Sequence, residues 1–516
     1  MNAVNKKIAT NTLALYSRML IVMVVSLYSS RIVLEILGIS DFGLFNLVGG
    51  IVVLVGILNQ SMSSATQRFL NFEIGTENFQ KVQRVFGTSI LIHLILAAVI
   101  FVLAQTLGLW FINNHLNISE NRLEAANWVY QFSVLSLIIS IITVPYNAAI
   151  IANEKMSAFA YISIIEVILR LISIYCLYYF GEDKLILYSF LLLIVNVLVS
   201  LSYIIYSRYQ FQECKTFIKR DKVIFKSMLS FSSWTILSNL SFSLRTQGIN
   251  ILLNTFFGTL INATQGIALQ VSNAVGNFSG NFNQALNPQI VKSYAAQQLI
   301  DTRKYVQYGS RLSFYLVLFI ILPLLIETGS ILKFWLGNVP EFSVIFVRLI
   351  LIQTLFESFS NILGTAQAAT GKVKKYHLLL SSIGLMNLPL GYFFLKQNFP
   401  AFTPLIISIF LSLIITAVRL IFLKKSIQLS IREFVENVLF KGLFVGFISS
   451  VLPLCVSILL AGYTFKSIVV IILCLLSTLI ISWKLGFNSN EREVVTKKID
   501  IALKKIYNKV LSVCLK

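Results

Sequence analysis

Residues 184–208 are KLILYSFLLLIVNVLVSLSYIIYSR, and no charged residue lies between the opening lysine and the closing arginine. A helix needs about 20 mostly apolar residues to cross a bilayer, so this stretch can span a membrane once. About fourteen stretches of this kind occur along the chain, at 10–37, 41–71, 85–112, 122–151, 158–180, 184–208, 227–257, 264–294, 304–329, 341–369, 376–397, 403–424, 442–464 and 465–486. The sequence therefore predicts an all-α polytopic membrane protein with about 14 transmembrane helices.

The composition excludes an ordinary soluble domain. Of the 516 residues, 57% are hydrophobic and 12% are charged, which is far from the balance of soluble proteins. The formal net charge of +21 could indicate a nucleic-acid-binding protein. Most lysines and arginines, however, share one side of the membrane if the N-terminus is cytoplasmic. This positive-inside bias predicts that both termini are cytoplasmic and that no nucleic acid is bound.

The first six predicted spans match the next six at an offset of about 220 residues. Leu37–Gly43 falls on Phe257–Ala263, and each segment separates a first helix from a second. Because six is even, both halves keep one orientation, as parallel repeats do. We therefore predict two parallel six-helix lobes plus two extra C-terminal helices. The predicted parts are an N-terminal six-helix lobe (1–208), a cytoplasmic linker (209–226), a C-terminal six-helix lobe (227–424), two additional transmembrane helices (425–486) and a basic amphipathic cytoplasmic tail (487–516).

Once the loops, the tails and the ends of the predicted spans are set aside, the lysines and arginines that are left are all arginines. The seven are Arg18, Arg68, Arg170, Arg245, Arg311, Arg348 and Arg419. An arginine at the bilayer centre costs roughly 2.5–17 kcal/mol, depending on the method, so it usually faces a bundle interior or a hydrated cavity. Its planar guanidinium suits phosphate and carboxylate groups. We therefore expect the chain to hold an anionic group inside the membrane.

The position of each arginine in its helix favours different roles. Arg18 and Arg245 lie well inside their spans on faces with small or polar residues, which favours phosphate binding over an internal ion pair or interhelical bond. Arg68 is either a ligand or a snorkelling residue, because it is near a cytoplasmic helix end.

The remaining arginines have more ordinary explanations. Arg170 follows Glu166 by one helical turn, which predicts an intrahelical ion pair. Arg311 and Arg419 lie near cytoplasmic ends, where we expect surface anchors. The sequence identifies no partner for Arg348.

Polar side chains form one stripe on the second predicted span and another on the eighth. The stripes comprise Asn46, Gly49, Gly50, Gln60, Ser64, Gln67, Arg68 and Asn71 on the second span, and Gly266, Gln270, Asn273, Asn277, Asn281 and Gln284 on the eighth. Their three- and four-residue spacing places each set on one helix face. A hydrogen bond between membrane helices averages only about 0.6 kcal/mol, so this many amides exceed what helix packing needs. We expect the stripes to line a hydrated cavity; ordinary packing between helices is the alternative.

The chain resembles the polysaccharide flippases of the multidrug/oligosaccharidyl-lipid/polysaccharide exporter superfamily. The resemblance rests on the architecture and on short motifs, which are LYSR at 15–18, LGISDFGLF at 37–45, SATQRF at 64–69 and Asn287-Pro288. It implies a flippase that moves an undecaprenyl-pyrophosphate-linked oligosaccharide across the bacterial cell inner membrane by alternating access. Arg18 matches a cavity arginine of related lipid II flippases. The sequence departs from the family at Glu35, where relatives often carry a basic residue.

The resemblance and the polar residues together define a candidate site. Arg18 and Arg245 would hold the pyrophosphate, with Arg68 as a further candidate. The amides Gln60, Gln67, Asn273, Asn277 and Asn281 would contact the glycan. Glu166 and Glu357 are candidates for ion coupling. The expected partners are the lipid-linked oligosaccharide, membrane lipids and polysaccharide assembly proteins, with the chain itself a monomer.

Three other functions remain open from the sequence. A cation-coupled multidrug exporter of the same superfamily would favour acidic and aromatic cavity groups over arginines. A membrane polysaccharide polymerase or ligase would need a larger outer loop, so we predict that the chain is not an enzyme. A channel suits the two-lobed repeat less well than alternating access does. The 3 histidines and 5 cysteines show no ligand-like spacing, so neither a metal nor a cofactor is expected.

Overall fold

The computed structural model describes residues 3–55, 62–63, 65–67, 69–70, 73–74, 78–153, 155–180, 183–215, 221–370, 374–460, 462–463, 465–487 and 492. Within these ranges, the side chains of 3–20, 54–55, 156, 231–240, 242, 281, 284–285, 288, 292 and 295 are outside the description.

The described residues form long α-helices joined by short connections. They are α1 (Ala3–Val55), α2 (Phe79–Leu103), α3 (Leu109–His115), α4 (Glu120–Ala152), α5 (Met156–Tyr179), α6 (Lys184–Gln210), α7 (Lys222–Phe257), α8 (Thr259–Ala295), α9 (Leu299–Ile326), α10 (Thr328–Leu336), α11 (Ser343–Ala369), α12 (Lys374–Leu385), α13 (Asn387–Lys396), α14 (Thr403–Ile427), α15 (Ile431–Phe434), α16 (Lys441–Leu459) and α17 (Lys466–Ile481). Single π-helical turns occur at Ala104–Gly108, Val435–Phe440 and Ser482–Gly486, and a 3₁₀ turn at Glu213–Lys215.

The prediction of an all-α polytopic membrane protein is confirmed. Among the described residues, 11 helical segments are long and apolar enough to cross a membrane. Each coincides with a predicted span, except that Ile21–Val53 covers parts of the first two. The predicted spans at 227–257 and 264–294 correspond to α7 and α8. The amides and glycines of its polar stripe make α8 the least hydrophobic of the long helices.

Two glycines make the tight turns that separate the predicted first and second helices of each half. Gly38 interrupts α1 with φ 76° and ψ 171°, and Gly258 separates α7 from α8 with φ 75° and ψ −171°. This backbone conformation is essentially restricted to glycine, because a Cβ atom would clash there. The two glycines are 220 residues apart, which is the predicted offset. The segments that match at this offset therefore form the same glycine turn.

Residues at the 220-residue offset also contact each other. A Cβ atom on Gly43 would lie 3.1 Å from the amide nitrogen of Ala263 and would overlap the carbonyl oxygen of Thr259. A Cβ atom on Gly266 would lie 2.8 Å from Cγ of Asn46. The second segment of α1 therefore packs against the first turns of α8 at residues that the predicted offset makes equivalent.

The chain forms two compact units, and boundaries between them fall inside α8, α10, α11 and α14. The first comprises Met1–Val271, Leu332–Leu349 and Lys374–Leu411, and the second comprises Ser272–Ile331, Ile350–Val373 and Ser412–Lys516. The core of the second unit includes Phe314 and Phe359, whose rings stack with centroids 4.0 Å apart. The lobe boundaries drawn from the sequence stay a prediction.

An arginine ties three helices together at one end of the first unit. Arg122, near the start of α4, donates through Nε to Asp41 Oδ1 at 3.0 Å and through Nη1 to Asp183 Oδ2 at 2.6 Å. Asp183 also caps α6, because its Oδ1 accepts hydrogen bonds from the amides of Leu185 and Ile186. One side chain thereby fixes α4 against both α1 and α6.

A buried carboxylate holds the last two helices to α9 in the second unit. The side chain of Glu327 is 2% exposed. Its Oε2 accepts hydrogen bonds from Ser330 at 2.7 Å and Ser467 at 2.9 Å, and its Oε1 accepts one from Ser457 at 3.1 Å. The ammonium of Lys466 lies 3.5 Å from Oε1. These partners satisfy a charge that would otherwise be costly to bury.

Candidate binding cavity

A cavity of about 380 Å³ lies in the first unit between α1, α5, α6 and the first turns of α8. One wall is a face of α1 that carries Ser26, Ser29 and Ser30 among valines. The Ser30 hydroxyl donates to the carbonyl of Ser26 at 2.8 Å. Val22 and Val25 also line the cavity, on the same face of α1 and closer in sequence to Arg18. The helix face on which the sequence places Arg18 therefore lines the cavity from Val22 onward. The side chain of Arg18 itself is outside the described residues.

The facing wall is formed by α5. Ser163, Glu166 and Arg170 are spaced by three and four residues, so they share one helix face. The structure confirms the predicted intrahelical pair, because Arg170 donates to Glu166 Oε1 from Nη2 at 2.9 Å and from Nε at 3.1 Å. The side chains are 49% and 33% exposed. This pair is therefore accessible from the cavity rather than buried in a helix interface.

Three further polar residues complete the lining. Asn46 comes from the second segment of α1, Tyr188 from α6 and Gln270 from α8. Asn46 donates to the carbonyl of Phe42 at 2.8 Å. Gln270 Oε1 is buried and accepts no hydrogen bond from the described part of the chain. The cavity thus combines one guanidinium, one carboxylate, several hydroxyls and an amide oxygen that lacks a donor.

The predicted stripes meet at this cavity in one place. Asn46 belongs to the stripe of the second span and Gln270 to that of the eighth, and both line the cavity. Sequence analysis missed Ser163 and Tyr188. The signal for Ser163 was its spacing from Glu166 and Arg170, whereas no charged residue lies one turn from Tyr188 on its own helix to give such a signal.

Other predicted site residues lie elsewhere or outside the description. The stem of Arg245 packs beside α12, with its Cδ 3.7 Å from the Cβ position of Gly384. Gln67 is half-buried, and no hydrogen bond places it at the cavity. Gln60, Arg68 and the side chain of Asn281 are outside the described residues.

The second unit holds the remaining amides and the second candidate for ion coupling. Asn273 and Asn277 on α8 are exposed. Gly276 and Gly280 lie on the same face of α8, and a Cβ atom on either would have no described atom within 4 Å. Among the described residues this face is therefore open, as we expect for a stripe that lines a hydrated space. Glu357 accepts a hydrogen bond from Gln353 at 2.9 Å.

The expected role of two arginines as surface anchors needs correction. Arg311 is 4% exposed and donates to the carbonyl of Asn437 at 3.3 Å. Arg419 donates to the carbonyl of Ser360 at 2.6 Å and to its hydroxyl at 2.9 Å. Both guanidinium groups turn toward carbonyls of neighbouring helices, which replace the water that a snorkelling side chain would reach. Arg348 is exposed on α11.

Solved structures with this fold include a flippase and several drug transporters. The chain is similar to "Lipid II flippase MurJ, inward closed conformation", with a TM-score of 0.66 and 14% identity over 92% of this chain and 98% of that chain. It is similar to an inward-facing multidrug resistance MATE family transporter of the MOP superfamily, with a TM-score of 0.61 and 14% identity over 78% and 94%. It is also similar to the MATE multidrug transporter DinF-BH, solved as a complex, with a TM-score of 0.58 and 18% identity over 83% and 98%.

No protein-family model matches the sequence, and no curated protein matches it. At these identities, the structural similarity shows the fold alone. The chain is therefore a multi-pass membrane protein with the fold of the flippases and multidrug transporters of this exporter superfamily.

Proposed function

We propose that this protein is a flippase that translocates an undecaprenyl-pyrophosphate-linked oligosaccharide across the bacterial inner membrane by alternating access. Its product would serve surface polysaccharide biosynthesis, such as that of O-antigen and lipopolysaccharide. The observation that carries the proposal is the cavity in which Arg170 faces hydroxyl and amide groups. A guanidinium matches a phosphate group, and hydroxyls with amides match a glycan.

The contacts of the cavity support a ligand that is both anionic and rich in hydroxyl groups. Gln270 Oε1 is a buried acceptor without a donor among the described residues, and a sugar hydroxyl could supply one. Arg170 provides the only guanidinium on the described lining. A cavity of about 380 Å³ holds a small headgroup. The lipid chain and most of the glycan would therefore remain outside it.

The residues nominated from sequence keep their proposed roles. Arg18, which precedes Val22 by one turn in the sequence, is proposed to bind the pyrophosphate, as are Arg245 and Arg68. The amides proposed to contact glycans are Gln60, Gln67, Asn273, Asn277 and Asn281. Glu166 and Glu357 remain proposed ion-coupling groups.

Transport of a labelled lipid-linked oligosaccharide in proteoliposomes tests the proposal. We expect Arg170→Gln and Arg18→Ala each to reduce flipping by about tenfold or more, as loss of a charge-assisted contact does. Arg432→Gln is the matched control, because Arg432 is 87% exposed and its one ion pair among the described residues is with Glu436, one turn away. Normal flipping in both test variants would reject the site, and absence of flipping by the wild type would reject the function.

A cation-coupled multidrug exporter is the second candidate. Two observations favour it: the carboxylate of Glu166 lines the cavity, and the similar structures include drug transporters. In that case a cationic dye would be transported by the same proteoliposomes, and Glu166→Gln would stop its transport. Dye transport without oligosaccharide flipping would favour the exporter over the flippase.

A further inference from the structure

We propose that the intact pair of Arg170 and Glu166 makes the cavity select a phosphate ester that carries a sugar over one that carries none. Arg170 binds the phosphate group, and Glu166 accepts a hydrogen bond from a hydroxyl of the attached sugar. This inference rests on the proposed function, because it takes Arg170 as the residue that binds the anionic headgroup. It adds a role for Glu166, which contacts the first sugar and determines specificity.

The pair leaves one edge of the guanidinium available to a ligand. Arg170 donates to Glu166 from Nε at 3.1 Å and from Nη2 at 2.9 Å, so two of its five N–H groups are used. Nη1 has no hydrogen-bond partner among the described residues. The edge formed by Nη1 and Nη2 can therefore donate two parallel hydrogen bonds to a phosphate group while the pair with Glu166 stays intact.

The carboxylate of Glu166 also has an oxygen to spare. Both hydrogen bonds from Arg170 end on Oε1. In the part of the chain that the structure describes, Oε2 accepts none. The side chain is 33% exposed and lines the cavity, so a ligand can reach this oxygen. An ionised carboxylate accepts hydrogen bonds and donates none, so its partner must be a donor. A sugar hydroxyl is such a donor, whereas a fully ionised phosphate group is not.

The charges of the pair disfavour a ligand that lacks a sugar. Arg170 and Glu166 are the only charged residues on the described lining of the cavity, and their charges cancel formally. A phosphate group at Arg170 is attracted by the guanidinium and repelled by the carboxylate one turn away. A sugar hydroxyl that donates to Oε2 adds a charge-assisted hydrogen bond without adding negative charge. The carboxylate therefore weakens binding of every phosphate ester, but it gives a contact in return only to one that carries such a hydroxyl.

The spacing of the two side chains suits a single sugar unit. Glu166 and Arg170 are one helical turn apart, and a turn rises about 5.4 Å. A hexose ring is of comparable width, so a sugar joined to a phosphate group can place a hydroxyl at Glu166 while the phosphate lies at Arg170. A carrier lipid whose diphosphate bears no sugar lacks this hydroxyl. The pair thus discriminates between the loaded and the unloaded carrier.

Binding of glucose 1-phosphate and cyclohexyl phosphate to the purified full chain in detergent, measured by calorimetry, tests this inference. Both probes are phosphate monoesters of a six-membered ring with the same charge, and the ring hydroxyls are present in the first alone. We expect the wild type to bind glucose 1-phosphate at least about tenfold more tightly, the factor that a hydrogen bond to a charged group typically contributes. Glu166→Gln should tighten binding of cyclohexyl phosphate, because the repulsion is removed, and should reduce the ratio to about threefold or less. Arg170→Gln should weaken binding of both probes. Glu436→Gln, in the exposed pair with Arg432, is the matched control and should leave the ratio unchanged.

The expected gain in affinity for cyclohexyl phosphate separates the specific effect from misfolding, because a misfolded chain cannot bind a probe more tightly. Glu166→Ala, which removes the acceptor as well as the charge, should show the same gain and a ratio no higher than that of Glu166→Gln. An unchanged ratio in both Glu166 variants, with binding still weakened in Arg170→Gln, would overturn the role of Glu166 and leave Arg170 as a ligand. Weaker binding of both probes by the Glu166 variants would also overturn it, because Glu166 would then only orient Arg170. Failure of the wild type to bind either probe would instead overturn the headgroup site in the proposed function.

Discussion

The indole nitrogen of Trp335 donates a hydrogen bond to the carbonyl oxygen of Leu27 at 2.6 Å. A second bond joins the same helices, because Arg31 Nη1 donates to the carbonyl of Phe334 at 3.2 Å. Leu27 lies in the turn of α1 whose other face carries Ser26 and Ser29 into the cavity. The C-terminal turn of α10 is thus fastened to the outside of a cavity wall.

Removing the indole N–H should loosen this attachment. Trp335→Phe keeps an aromatic ring but deletes the donor, and we expect a loss of about 0.5–1.5 kcal/mol in local stability. Hydrogen exchange measured by mass spectrometry should accelerate in α10 and in residues 21–33. Phe334→Ala is the control, because that side chain is 85% exposed and its carbonyl remains. Equal exchange in both variants would show that the bond does not restrain α10.

Glycine is required at position 43 but not at position 49 of the same helix. A Cβ atom on Gly43 would overlap the backbone carbonyl of Thr259, whereas one on Gly49 would meet no described atom within 4 Å. Overpacking of this kind typically costs about 1–3 kcal/mol. Thermal unfolding in detergent should therefore show that Gly43→Ala has a clearly lower Tm than the wild type. Gly49→Ala should not differ from the wild type, and a similar Tm for the two variants would contradict the close approach.

Stability should depend on pH through Asp183. Burial raises the pKa of its carboxyl, but hydrogen bonds from Arg122 and from the amides of Ile186 and Leu185 outweigh burial, so the pKa is lower than usual. A lowered pKa stabilises the fold above the unfolded value of about 3.9, and this contribution is lost as the pH falls through the folded value. Asp183→Asn retains a capping side chain and should cost about 1 kcal/mol near neutral pH.

Thermal unfolding between about pH 7 and pH 3 measures this dependence. The difference between the wild type and Asp183→Asn should shrink toward the acid end, because the charged carboxylate loses its advantage as the pH falls toward its lowered pKa. Asp301→Asn is a control, since Asp301 is 51% exposed and lies 3.9 Å from Lys304. A constant difference between wild type and Asp183→Asn across this pH range would argue against the charged interaction.

The carboxylate of Glu327 should be important for the second unit. Glu327→Gln replaces an acceptor oxygen with a donor that faces hydroxyl groups, and we expect a loss of about 2–3 kcal/mol. Glu436→Gln removes a carboxylate that is 57% exposed and should change stability by less than about 0.5 kcal/mol. Measuring the free energy of unfolding of the two variants in detergent distinguishes these outcomes. If Glu327→Gln had the same free energy of unfolding as the wild type, the four partners of this carboxylate would contribute no net stability.

The sequence predicted the helices well, because the length and hydropathy of a membrane span are properties of one contiguous segment. Helical spacing also placed Asn46 and Gln270 on the stripes that we expected to line a cavity. It predicted the pair of Glu166 with Arg170, but not that this pair lies at the cavity. It could not predict contacts between distant segments. The carbonyls that accept hydrogen bonds from Arg311 and Arg419 belong to backbone groups, which every residue carries and no pattern distinguishes. The bonds from Arg122 to Asp41 and Asp183 likewise depend on which helix ends meet.

The contact between Asn46 and Gly266 pairs a large residue with a small one at positions that the predicted offset makes equivalent. In a dimer of identical subunits, a residue on the twofold axis meets its own copy, so both copies are large or both are small. Here α1 supplies an amide side chain and α8 supplies the space for it. The two segments, which differ in sequence, therefore make at this point a fit of large against small that two identical chains could not make.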